Sequence, residues 1–361
     1  GSYISDYFSG ILLLNDNQYD ESYSFLKKLG GLEESHLDYS SKYLYSLVNL
    51  GKFNEAFNYS KKLENRKLSN FESDLIIGVY YLKNNNHNLA QKYFLKLKNR
   101  KSKSVLNIFV SNSLLNWLSF KSLDLKNAQK KINVKNSKFQ NLNIIQNVFL
   151  HCFYKSQKTE FFFEKLVLNQ KIDFSRYNYF YAAYLSNIGK IEQAKKVINS
   201  SLKLYPRNLL LNQYKLDLNK GKHTNNFNCQ NLSSIIAEIF YITANALSSQ
   251  NIYTFSNFYL NLSKYLNNDF YHFDTLLAEN FYKTDDFVQA KKIYKEMSKQ
   301  GEAFFWYSAK QNAKILIKQD KKEKALKLIN NTYEKLSKKN IYQTFDYAKF
   351  LKNNEQFEDS I

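Results

Sequence analysis

The sequence predicts an all-α solenoid built of helix pairs, and three observations carry that reading. Small residues recur in pairs twelve positions apart. The second members of successive pairs mostly follow one another at 34 or 35 residues. One proline and nine glycines in 361 residues are too few for the many tight turns of a β-rich fold.

The segment YAAYLSNIGKIEQAKKVINSSLKLYPRN, residues 181–208, shows the unit most plainly. Ala182 and Ala194 are the small pair, Gly189 lies between them, and Pro206 closes the segment. The same spacing links Gly10 to Ser22, Gly78 to Ala90, Ala244 to Ser256, Ala278 to Ala290, Ala313 to Ala325 and Ala348 to Ser360. Ala56 and Ala128 are second members whose partners, Leu44 and Asn116, are larger, and a degenerate copy is expected over residues 138–171. Three residues before the second small position stands a bulky group such as Tyr19, Phe53, Ile191, Tyr253, Phe287 or Phe357. Four residues after it comes Leu26, Phe94, Ile198, Leu260, Tyr294 or Ile329. The helical pattern breaks at Gly51, at Gly189, or at clusters such as NDNQ, KNNNHN, KTDD and KQDK.

Each choice has a physical reason. Two antiparallel helices joined by a short turn must cross closely, and a side chain larger than Ala or Ser at the crossing would force the axes apart. The bulky neighbours fill the grooves beside that contact. One pair cannot bury both of its faces, so the next pair stacks on it. Gly or Asn tolerates the left-handed backbone that ends the first helix, and Pro206 cannot continue the second.

One interval, from Ala194 to Ser256, spans 62 residues. The polar, aperiodic LNKGKHTNNFNCQN, residues 218–231, lies inside it. It is expected to be an irregular loop between an N-terminal array over 3–217 and a C-terminal array over 232–361 whose last repeat is truncated. Gly1-Ser2 reads as a cloning scar, with any signal or anchor expected to be cut away. No apolar run approaches the roughly 18 residues of a membrane span.

The net charge of +20 comes with abundant Lys and Asn and scarce Arg among 52 basic residues. An AT-rich genome produces that bias, and phosphate and base readers favour the planar fork of Arg. The charge is therefore read as compositional, with a functional basic surface as the alternative. Cys152 and Cys229 form no short metal or redox spacing; a disulfide between them, and hence the compartment, stays open. His36, His87, His151, His223 and His272 are scattered, without the i, i+4 pairing of a zinc helix. His151, in an aromatic helix, is expected in the core. Glu33-Glu34 and Asp285-Asp286 sit at turns and read as helix-start charge. No glycine-rich phosphate loop, GxSxG or Cys/His nucleophile pattern occurs, so no enzyme, no cofactor, no metal and no small-molecule substrate are expected.

The unit resembles the tetratricopeptide repeat. Ala182, Gly189, Ile191, Ala194 and Pro206 match the positions of that motif, and the resemblance runs over nearly the whole chain in nine or ten units. The family's Trp is absent, and its terminal Pro occurs once. The resemblance implies a right-handed α-α superhelix whose first helices line a concave groove. Carried over, the groove positions are Tyr45, Asn49, Leu75, Val79, Lys83, Trp117, Lys121, Arg176, Tyr179, Asn187, Tyr241, Asn245, Glu279, Tyr282, Lys283, Lys310 and Lys314. Their mixture of aromatic, amide and basic groups suits an extended or helical acidic peptide. The Lys and Asn pattern of the family's carboxylate clamp is not found. The expectation is thus a non-enzymatic protein–protein interaction scaffold with a protein or peptide partner. The alternative is an RNA-binding helical repeat, whose ordered base-reading positions cannot be traced here. The order and degeneracy of the repeats are also similar to envelope-associated repeat proteins of alphaproteobacteria, which leans the location toward a bacterial periplasm or envelope.

Overall fold

The computed structural model describes residues 2–101, 104–132, 140–168, 175–222 and 226–354, and among them contains 20 α-helices and no strand. Most follow as pairs: α1 (Ser2–Asn15) with α2 (Tyr19–Leu26), α3 (Leu37–Asn49) with α4 (Phe53–Asn65), α5 (Phe71–Lys83) with α6 (His87–Asn99), and α7 (Val105–Ser119) with α8 (Leu125–Ile132). The degenerate copy is also a pair, α9 (Gln140–Phe153) and α10 (Thr159–Val167). Then come α11 (Ser175–Asn187) and α12 (Ile191–Leu204), α14 (Leu232–Ser248) and α15 (Tyr253–Leu266), α16 (Phe273–Lys283) and α17 (Phe287–Met297), and α18 (Glu302–Lys318) and α19 (Lys322–Glu334). Two helices have no partner next to them in sequence, α13 (Leu209–Asn219) and α20 (Ile341–Asn353). No helix among the described residues is long and apolar enough to cross a membrane. Ser360, Phe357 and His223 lie outside the described residues.

The turn inside eight of the nine described pairs repeats one backbone solution, the α7–α8 pair being joined instead through a 3-10 turn at Phe120–Ser122. Asn17, Gly51, Asn85, Lys155, Gly189, Asn251, Asp285 and Asp320 all have positive φ, between 51° and 81°. In each case this residue and the next return hydrogen bonds to the end of the preceding helix. Asn17 N–H donates to the Leu14 carbonyl (3.1 Å) and Gln18 N–H to that of Leu13 (2.8 Å), and the Gly189 and Lys190 amides do the same to Ser186 and Leu185 (3.1 and 2.9 Å). This left-handed cap satisfies carbonyls that the helix end would leave bare. The next helix is capped in turn where the residue allows it, as by Asn86 on Leu89 N–H (3.2 Å) and by Asp286 on Gln289 N–H (3.1 Å). Of the Asp285-Asp286 pair, then, only Asp286 acts at a helix start; Asp285 is the left-handed residue. Glu33 departs further from that reading. It is buried and accepts from Lys62 Nζ and Arg66 Nη1, both at 3.0 Å. Burial alone pushes its carboxyl up, but backbone amides and Lys62 outweigh this and hold it below the usual value.

The small residues sit at the crossings. Ser22 Oγ donates to the Gly10 carbonyl (2.7 Å) and Ser256 Oγ to that of Ala244 (2.8 Å), so residues twelve apart meet across the turn, as they must in an antiparallel pair. Ala182, Ala194, Ala278, Ala290, Ala313 and Ala325 are all helical and fully buried. Phe94, four residues after Ala90, closes against Gly78: a Cβ built on Gly78 would stand 2.7 Å from its Cδ1.

The chain forms two compact units, Gly1–Thr159 with Asn226–Asn280, and Glu160–Asn225 with Phe281–Ile361. This division differs from the one expected at the 218–231 loop. The pair α14–α15, expected to open a second arm, packs in the first unit against α7, α3 and α5. In the second unit α13 finds its neighbour in α18: Gln213 Oε1 accepts from Ala303 N–H (3.0 Å), and Gly301, at φ 144°, leaves no room for a Cβ beside the Gln213 side chain.

Gly78→Ala tests the crossing rule against local propensity. Alanine gains about 1 kcal/mol as a helix former, but overpacking against the buried Phe94 ring costs about 1–3 kcal/mol. Urea unfolding is expected to show a net loss of stability; a gain would show that the crossing does not demand glycine.

Candidate functional site

In the first unit, the face expected to be an open groove is occupied by the chain's own helix α15. Thr254 Oγ1 donates to the Leu14 carbonyl (2.9 Å), seating the N-terminal end of α15 on the C-terminal end of α1. One turn on, Asn257 Nδ2 donates to the Tyr19 hydroxyl (2.7 Å). Asn261 Nδ2 donates to Asn49 Oδ1 (3.2 Å), while Asn49 Nδ2 reaches the Thr254 carbonyl (3.5 Å). Tyr45 meets Phe255 and Phe258 edge-on, with centroids 5.3 and 5.1 Å apart, and Phe53 stacks on Tyr265 at 4.1 Å. At the far end Lys83 Nζ donates to the Leu266 carbonyl (3.5 Å), a cation against the C-terminal end of a helix. Residues 254, 257, 258, 261 and 265 are one face of a helix. The opposite side of α15 locks onto α14 through Ser256 and through Ser263 Oγ, which donates to the Ala237 carbonyl (2.8 Å).

Buried polar groups specify this seat. Asn257 and Asn280 are both fully buried, and Asn280 Nδ2 donates to Asn257 Oδ1 (2.8 Å) and to Ser256 Oγ (2.9 Å) while Ser248 Oγ donates to Asn280 Oδ1 (2.6 Å). Tyr45 donates to Glu72 Oε1 (2.7 Å); burial, and then the Glu72 charge, push its hydroxyl pKa well up. A disulfide between Cys152 on α9 and Cys229, just before α14, ties the hairpin to the same unit.

The expectation of an open groove at Tyr45, Asn49, Leu75, Val79 and Lys83 is therefore corrected. Leu75 and Val79 are buried, Tyr45 packs its ring against α15, and Asn49 and Lys83 hydrogen-bond to it. Trp117 is also no groove residue: it is fully buried and its Nε1–H donates to Gln146 Oε1 (3.0 Å). Tyr179 is buried against Tyr214, and burial raises its hydroxyl pKa. Arg176 lies over Phe180, Tyr241 against Phe273 and Tyr282 under Lys318, each half-buried. Lys121, Asn187, Asn245, Glu279, Lys283 and Lys314 are exposed, and Lys121 Nζ lies 2.8 Å from His87 Nδ1. His151 is buried as expected, with Gln129 and Ser156 on its two ring nitrogens.

Of the groove candidates, Lys310 lines a well-formed cavity. This cavity, of about 670 Å³, lies within the second unit between α13, α18, the α12–α13 corner and the start of α20. Its floor is one face of α13 (Asn212, Lys215, Leu216, Asn219) and one face of α18 (Ala303, Trp306, Tyr307, Lys310). Six cations line it against two carboxylates, Glu302 and Asp346. Asp346 accepts from Arg207 Nη2 (2.9 Å) and Nε (3.1 Å) and from Lys310 Nζ (2.7 Å). Burial pushes its carboxyl up, but Lys310 and Arg207 more than reverse this and hold it below the usual aspartate value. Sequence reasoning missed Arg207, Asp346 and Trp306. Arg207 stands beside the lone proline, the one local sign of a corner there.

Among the described residues no group of His, Cys, Asp and Glu could hold a metal ion. No protein-family model matches the chain, and no curated protein does. Among solved structures it is similar to the tetratricopeptide domain of P58(IPK), at 14% identity over 99% of both chains with a TM-score of 0.29. It is similar to yeast Tom70 at 12% identity, covering 99% of this chain and 96% of that one, with a TM-score of 0.28. A third neighbour is a Naa15/Naa10 complex bound to HypK-THB, at 14% identity over 100% of this chain and 67% of that one, with a TM-score of 0.25. The tetratricopeptide-like character of the fold is carried by the chain's own small-residue crossings and left-handed turns.

Because Cys152 and Cys229 are 77 residues apart, their bond removes much loop entropy from the unfolded chain. Cys229→Ser is expected to lower the stability of the first unit by about 2–4 kcal/mol. Urea unfolding read by Trp117 in a Trp306→Phe background measures it, and an unchanged midpoint would contradict a fastening role.

Proposed function

We propose that this chain is a non-enzymatic interaction scaffold that binds a peptide or protein partner, and that its open binding surface is the cavity of the second unit. The observation that carries this is the contrast between two faces of the same kind. In the first unit the inner helices already hold a helix, α15, against aromatic, amide and lysine side chains. In the second unit a comparable lining faces an open cavity. The first face is thus a worked example of what such a lining accepts, a helix laid in a groove. Aliphatic groups at Leu202, Leu209, Leu216 and Ile341 and the ring of Trp306 offer apolar area, while asparagines and lysines at the rim can fix register. The Cys152–Cys229 bond supports an oxidising compartment, in keeping with an envelope or periplasmic location.

Screening peptides against the purified chain and repeating the measurement with Leu216→Glu tests this. Peptides that bind the wild type are expected to lose at least tenfold in affinity, on the order of a hot-spot loss, when the apolar Leu216 is replaced by a carboxylate. Equal binding by the variant would move the site elsewhere. Binding of single-stranded RNA, with steep salt dependence and no peptide binding, would replace the scaffold reading by the RNA one.

A further inference from the structure

The second-unit cavity contains an acid–base arrangement that neither packing nor helix capping requires. Asp346, on α20, is mostly buried, its side chain 16% exposed, and it draws both Arg207 and Lys310 to itself. Those two cations are far more open, at 50% and 28%. Arg207 lies against two rings of α20, its guanidinium carbon 5.3 Å from the Tyr342 centroid and 5.8 Å from that of Phe345. Lys310 lies over Trp306 at 5.7 Å. Further along the lining, Lys203, Lys215 and Lys338 are exposed and have no ion-pair partner among the described residues.

α20 does not need Asp346 to stay in place. Tyr347 stacks on Tyr333 at 4.1 Å and donates to Asn330 Oδ1 (3.0 Å), and Thr344 Oγ1 lies 2.9 Å from the Tyr333 hydroxyl. The ion pair is an addition to a helix already seated by its aromatic face.

We infer that Asp346 is an internal stand-in for a partner's carboxylate, and that the cavity takes an acidic amphipathic helix which exchanges its own carboxylate for Asp346 at Arg207 and Lys310. This rests on the scaffold reading above. Exchange is cheap because a pair with a half-exposed arginine gains little net free energy. The occupant must also satisfy Lys203, Lys215 and Lys338, so it carries several carboxylates. It must cover Leu216 and Trp306, so its other face is apolar. A nucleic acid fits less well. The rings of Tyr342 and Phe345 already attend the one arginine of the lining, which hinders base stacking on it, and Leu202, Leu209, Leu216 and Ile341 interrupt the cations that would otherwise track a phosphate backbone.

The test uses the full chain and a short fluorescent designed helix with glutamates on one face and leucines on the other, read by anisotropy. A second helix with lysine in place of every glutamate and a single-stranded oligouridine are run beside it. The acidic helix is expected to bind, Asp346→Asn to tighten it about three- to tenfold, Asp346→Glu to leave it near wild type, and Arg207→Ala to weaken it about tenfold or more. Far-UV circular dichroism checks each variant, and Lys310→Met stands in for Arg207→Ala if that one unfolds. An Asp346→Asn variant that binds the acidic helix no more tightly than wild type, or not at all, overturns the inference. Binding of the lysine helix as tightly as the acidic one overturns it too, while leaving a peptide scaffold. Binding of oligouridine alone overturns both.

Discussion

The contact on which the rest of this structure depends is the crossing of two helices at a residue with almost no side chain. Where Gly10 faces Ser22, or Gly78 faces Phe94, the axes come close enough for a serine hydroxyl to reach a backbone carbonyl or for a ring to lie on bare backbone. That closeness shapes such a pair into a wedge, and where a left-handed cap ends its first helix the cap fixes the reversal. Stacked wedges bury one side of every inner helix against the next pair and leave the other side unpaired. What comes to lie on that remaining side decides what the array can do.

The chain resolves this differently in its two units. In the first, α15 covers the inner face, and the cover is chemically specific. A hydroxyl caps α1, three asparagines trade hydrogen bonds across the seam, and a lysine meets the carbonyl end of α15. Buried amides left without partners would each cost about 1–3 kcal/mol, so this register is fixed and its loss would be expensive. The disulfide before α14 adds a covalent fastening. In the second unit the inner face is lined but not filled. Within that lining Asp346 accepts from both Arg207 and Lys310, and the arginine is half-exposed.

The repeat itself was legible because its signals are local. Small pairs, bulky flanks and turn residues are separated by fixed numbers of positions, and each is required by geometry within one hairpin. Even the weak copy over 138–171 emerged as α9 and α10. The groove was much less legible. Assigning Tyr45, Asn49 and Lys83 to an open face assumed that every first helix lines free space. Nothing local says that Asn257 and Asn261, which look like solvated positions of an ordinary second helix, bond to residues some two hundred positions earlier. Trp117 and Tyr179 failed for a related reason, since a large aromatic at an inner position reads equally as ligand contact or as core. Lys310 lines the cavity of the second unit, but its partners Arg207 and Asp346 come from segments that only the tertiary fold brings together.

The most direct measurement of that tertiary claim is a cross-link between Asn49→Cys and Asn261→Cys in the otherwise wild-type chain. With α15 seated on α3 as described, mild oxidation should join the two thiols rapidly within a single chain, and the product should run as a monomer and contain a peptide linking residues 49 and 261. If the pair stays reduced under those conditions, or links only between separate molecules, α15 does not fill the inner face of the first unit and the contrast between a closed face and an open one falls.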